Sequence, residues 1–81
     1  MKAILEYDLT DPDEARAHLR AVKSTNMAIV LFEMSANTKR KIENRIDVLD
    51  FKTPQAALDA VFEEFHALME EQGIVIDDLI N

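Results

Sequence analysis

The sequence predicts one mainly α-helical domain over residues 1–81: a short N-terminal strand, then about three helices, the second and third forming an antiparallel pair. Three observations carry that expectation. Asp11-Pro12 and Thr53-Pro54 each place a capping residue directly before a proline, the pattern of a helix start. Apolar residues recur at three- and four-residue intervals from Leu58 to Met69. The only glycine, Gly73, stands where that pattern stops. With 48% hydrophobic residues, one Gly and two Pro, the chain has the composition of a folded protein rather than a disordered one. At 81 residues its core is small enough that self-association is expected.

Ala3 to Leu9 alternates in part, with Leu5, Tyr7 and Leu9 on one face and Glu6 and Asp8 on the other, and reads as the strand. Its candidate partner is Ile74-Val75-Ile76, within the chain or in another subunit. Asp11 caps the first helix, Pro12 takes its first position, and Glu14 stands where a capping box requires it. That helix should run from Pro12 to about Lys23, with the narrow stripe Ala15, Leu19 and Val22 half-buried. Ser24 or Thr25 should cap the second helix. There Met27, Leu31, Met34, Thr38, Ile42 and Arg45 share one stripe, and Ile29, Phe32 and Ala36 add a second in the first half only. The first half should therefore be buried on most sides and the second half on one. Ile46 to Phe51 is either a helix end or a packed connection. Leu58, Val61, Phe62, Phe65, Leu68 and Met69 mark the third helix.

Sixteen acidic against nine basic residues leave a formal net charge of -7. That balance argues against direct nucleic-acid binding, which needs a broad basic footprint, and suits a basic partner protein. The absence of Cys excludes a disulfide framework and a thiolate metal site, and agrees with a reducing cytoplasm. No span reaches the roughly 18 apolar residues of a membrane helix, and the start, acidic by Glu6, is not expected to be a signal peptide.

Three stretches carry a resemblance. Lys2-Ala3-Ile4-Leu5-Glu6-Tyr7-Asp8-Leu9, the run Val30-Leu31-Phe32-Glu33-Met34 leading to Lys39-Arg40-Lys41-Ile42, and Gly73-Ile74-Val75-Ile76-Asp77-Asp78-Leu79 resemble a widespread group of small, mostly uncharacterised bacteriophage proteins. Members of that group begin with a short alternating strand, carry an Ala-Leu-Trp-Asp-like helix ending in an Arg and Lys pattern, and close on a Gly-Ile-x-Leu-Asp-like tail. This chain departs from them with Phe32 for the usual Trp, Asn37 and Thr38 for an aromatic-Leu pair, and Glu43 for a Lys. The resemblance implies a phage origin and an accessory role in the infected cell, and transfers no catalytic residue.

No reaction is written in the residues, and the expectation is a non-enzymatic protein without a cofactor. Glu63-x-x-His66 is half of what two helices of a di-iron bundle each supply. At about 100° per residue, however, Glu63 points roughly 160° and His66 about 100° from the centre of the Leu58 to Met69 stripe, so a solvated face is the better reading. His18, four residues after Glu14, reads as a stripe-edge residue tied to a carboxylate. Ser24 and Ser35 lack an activating context, and no Gly-rich phosphate loop is present.

Two charge clusters are the candidate binding residues. Lys39, Arg40, Lys41 and Arg45 gather four of the nine basic side chains within seven residues. They admit three readings: answering a helix dipole while pairing with Glu43 and Asp47, contacting an acidic partner or subunit, or holding nucleotide phosphates. Asp8, Asp11, Asp13 and Glu14 are solubilising surface or an acidic face for the basic groove of a host enzyme. The leading expectation is a phage-type accessory protein that binds and modulates a host macromolecule, such as a defence or transcription component, in the host cytoplasm. The alternatives are an oligomeric sponge for a nucleotide signal and a structural or assembly dimer.

Overall fold

The computed structural model describes residues 1–80, and helix is the only regular structure among them. α1 spans Pro12–Val22, α2 Ser24–Glu33, α3 Lys39–Asp47, α4 Pro54–Glu71 and α5 Ile76–Ile80. Met34–Thr38 forms a π-helical segment between α2 and α3. Its flanking residues keep right-handed helical angles, so residues 24–47 make one rod, about 36 Å long at 1.5 Å per residue.

The helix starts follow from local chemistry. The Asp11 carboxylate accepts the Asp13 N–H at 2.9 Å ahead of Pro12, and the Thr53 hydroxyl accepts the Ala56 N–H at 3.1 Å ahead of Pro54. The capping box at Glu14 is superseded, because the Asp11 N–H it would serve donates to the Asp8 carbonyl at 3.1 Å. Neither Ser24 nor Thr25 caps α2. Lys23 alone separates α1 from α2, its N–H bonds the Leu19 carbonyl, and the Ser24 hydroxyl donates back to the Ala21 carbonyl at 2.8 Å.

The expected N-terminal strand does not form. A strand needs a partner for its backbone groups, and the proposed one is spent elsewhere: the Ile74 N–H closes the end of α4 on the Met69 carbonyl at 2.8 Å, and Ile76 opens α5. Residues 1–8 carry no regular structure and only Tyr7 among them is half-buried. The end of α4 is a Schellman turn, with Gly73 at φ 67 and its N–H on the Glu70 carbonyl at 3.1 Å.

α4 lies against α2, the π segment and α3, while α1 packs on α2 and α5. The core is small: Val30, Ile74 and Leu79 are buried, with Leu19, Met27, Met34, Phe65, Leu68 and Met69 packed around them. Further along the rod only Thr38 and Ile42, and Ala60 of α4, are buried. The π segment explains why Val30 and Ile42 are both inside. Uninterrupted α-helix would turn Ile42 about 120° away from Val30, and an i→i+5 turn winds more slowly and brings it back.

The first half of the rod is far more open than its apolar run implies, with Leu31 70% and Phe32 63% exposed. α4 and α1 pack on α2, and among the described residues nothing covers Leu31 and Phe32. The principal extents are 52 × 32 × 16 Å and the radius of gyration is 17.2 Å, against about 12 Å for a compact chain of this length.

Candidate interaction surface

The basic cluster of the sequence does not converge in space. Lys39, Arg40 and Lys41 form the first turn of α3 in mid-rod, and only Arg45 lies in the last turn, where the helix dipole favours a cation. Lys39 pairs along its own helix with Glu43 at 3.5 Å. Lys41, about 200° further round, reaches across to Glu64 of α4 at 3.2 Å. Arg45 bonds Asp50 at 2.6 Å and lies with its guanidinium 4.4 Å from the Phe51 ring centroid. Arg40 is exposed. The acids met are thus Glu43, Glu64 and Asp50, not Asp47.

The acidic cluster is partly structural. Asp8 accepts the Thr10 hydroxyl at 2.6 Å and the Thr10 N–H at 3.0 Å, and these two bonds, the hydroxyl first, hold its carboxyl below the usual 3.8. Asp11 is the α1 cap, and Asp13 pairs with Arg16 at 3.5 Å. Glu14 is exposed. His18 meets an aromatic rather than a carboxylate: the Tyr7 ring stands edge-on at 5.5 Å. Glu63 and His66 are exposed, His66 beside the rings of Phe62 and Phe65. Among the described residues no three His, Asp or Glu side chains are grouped to hold a metal ion, and no helix is long and apolar enough to cross a membrane.

Two grooves on the surface are lined mainly by apolar side chains. Met27, Val30 and Leu31 of α2, Phe65 and Met69 of α4, and Ile74, Ile76, Leu79 and Ile80 line an open groove of about 300 Å³. At its rim the Arg20 guanidinium donates to the Leu79 carbonyl at 2.7 Å, which ties α1 to the end of α5. A second groove of about 310 Å³ follows along the rod, between Met34, Thr38, Ile42 and Val61, closed at its outer edge by Lys39 and Glu43. Their linings from α4, Val61 for the second groove and Phe65 and Met69 for the first, lie within about 80° of one another round that helix. Lys39 lines the second groove, whereas Lys41 crosses to Glu64 on the opposite side. Phe62, 52% exposed, and Leu58, 49% exposed, stand on α4 beside them.

This surface was missed as a site because its residues read as core. A signal was present. Ala57, Val61, Glu64 and Leu68 form one stripe of α4, and Leu58, Phe62, Phe65 and Met69 a second, about 100° round. One partner helix cannot cover both. No family model, curated protein or solved structure matches the chain. Function is therefore read from this surface.

Proposed function

We propose that this chain is a small non-enzymatic accessory protein, of the phage type its sequence resembles, that binds a host macromolecule and works by contact rather than by chemistry. The observation that supports this reading is the apolar surface. Of the sixteen large hydrophobic side chains that are exposed, twelve lie beyond residue 9, on helices and their connections. Five of them, Leu31, Leu58, Phe62, Ile76 and Ile80, line or flank the apolar grooves, and an apolar patch of that kind is the mark of an interaction site. The antiparallel pairing of the rod with α4 belongs to the same reading. It is supported by Asn26 meeting Gln72 near one end and Lys41 meeting Glu64 further along. A net charge of -7 adds long-range attraction to a basic partner, such as a nucleic-acid enzyme of the host cytoplasm.

The nucleotide-sponge reading is the weaker one. Phosphate binding at Lys39 and Lys41 requires two cations to converge, and these point to opposite sides of the layer, each already on a carboxylate. Affinity capture of the tagged protein from bacterial lysate, at low and high salt, tests the proposal. The expected result is a host protein retained at low salt and released at high salt. A co-purifying nucleotide without a protein would transfer the case to the sponge, and neither would overturn both.

A further inference from the structure

The chain is a single layer of helices. Its thinnest extent is 16 Å, and α1, the rod, α4 and α5 lie side by side with no second layer over the grooved face. Stable domains bury their apolar stripes between two layers. We infer that a second copy of this chain supplies the missing layer, docking on the face that carries Leu31, Met34, Leu58, Phe62 and Phe65 to make a twofold dimer. The inference goes beyond the contact reading above: a second copy takes up this face, and a host partner is left the charged remainder of the surface, where the net charge of -7 acts.

Area, shape and charge agree. The chain exposes 6485 Å² at 9.2 kDa, against about 4,900 Å² for a compact monomer of that mass. The excess is about 1,600 Å² per chain. If half of it belongs to the extended residues 1–8, two chains still hide about 1,600 Å² between them, the standard size of a specific interface; the whole excess would give about 3,200 Å², within the range of obligate dimers. An isologous face must also complement itself. This one is apolar along its length and ends in Lys39 and Glu43, a pair of opposite sign that can exchange partners with its twofold mate. Lys41 and Glu64 pair away from it, so docking leaves their bridge intact.

Because the protein has no Trp, one introduced indole reports on one place. The experiment takes Phe62→Trp on the face and Glu63→Trp on the outward side of the same turn. Mass is measured by sedimentation equilibrium, and solvent access by acrylamide quenching. The expected result is twice the 9.2 kDa of one chain for both variants, with the indole at 62 shielded and that at 63 open to quencher. The mass of one chain, or of more than two, overturns the inference. A dimer whose indole at 62 is quenched freely overturns it too, since the copies then meet elsewhere. None of these outcomes touches the capture of a host protein from lysate, so the dimer and the contact reading fail separately.

Discussion

The two turns that bracket α4 have the same hydrogen bonds and different materials. After α3, the Leu49 N–H donates to the Ile46 carbonyl and the Asp50 N–H to the Arg45 carbonyl, both at 3.0 Å; after α4, Gly73 and Ile74 do the same to Glu70 and Met69 at 3.1 and 2.8 Å. Each turn needs one residue in the left-handed region. At the far end that residue is Gly73, φ 67, and at the near end it is Leu49, φ 56, a side chain that pays for the conformation and is 85% exposed. The residue after Gly73 is Ile74, buried in the core; the residue after Leu49 is Asp50, held by Arg45 at the surface. The turn after α4 is anchored by burial and the turn after α3 by polar contacts in water. The difference locates the chain's stability at the α5 end.

Removing the buried anchor should have the largest effect. Ile74→Ala takes a side chain out of the Val30, Ile74 and Leu79 cluster, and a loss of about 2–4 kcal/mol is expected. Denaturant unfolding at one fixed protein concentration measures it, because association and folding are linked. A loss below about 1 kcal/mol would mean that the far end is no better anchored than the near one.

The next two substitutions exchange the materials of the turns, and their effects should have opposite signs. Gly73→Ala should cost about 1 kcal/mol, the left-handed penalty less the gain from a stiffer unfolded chain. The added Cβ would lie 3.4 Å from the Lys23 ammonium, the mobile end of a side chain, so backbone conformation sets the cost. Leu49→Gly relieves the same penalty and should raise stability by somewhat less than 1 kcal/mol, since an exposed Leu gives up little burial. Equal signs in the same unfolding experiment would break the equivalence of the two turns.

What was legible in the sequence was local. Asp11-Pro12, Thr53-Pro54 and Gly73 each act through bonds within a few residues, and the structure places α1, α4 and the α4 terminus on them. The turn at Leu49 carried no such signal, because the residue in the left-handed position is one that rarely takes it. The strand at Ala3 to Leu9 read well by alternation and fails for want of a partner, which alternation does not encode. The π segment was hidden as well, since Met27, Leu31, Met34, Thr38 and Ile42 fit an unbroken α-helical stripe. The site showed the same limit: the basic residues are neighbours in sequence but fan out around α3, whereas the grooved face joins residues from α2, α4 and α5. Its apolar residues looked like core because burial depends on how many layers the chain folds into, and periodicity reports a face without saying what covers it.

The smallest expected effect tests the polar anchor of the near turn. Arg45 and Asp50 meet at 2.6 Å with their side chains 42% and 50% exposed, and Arg45 also lies over Phe51. Water screens the pair on both sides, so Asp50→Asn should cost less than about 1 kcal/mol. The stacking of Arg45 on Phe51 survives that substitution, so what is lost is the charge attraction alone. That part should fade as salt is raised to about 1 M, where the screening length falls to about 3 Å. Paired denaturation curves of wild type and variant at low and high salt read the difference. A cost that exceeds 1 kcal/mol and persists in salt would put the near turn on the same footing as the buried one, and the stability of α4 would then be shared between its ends.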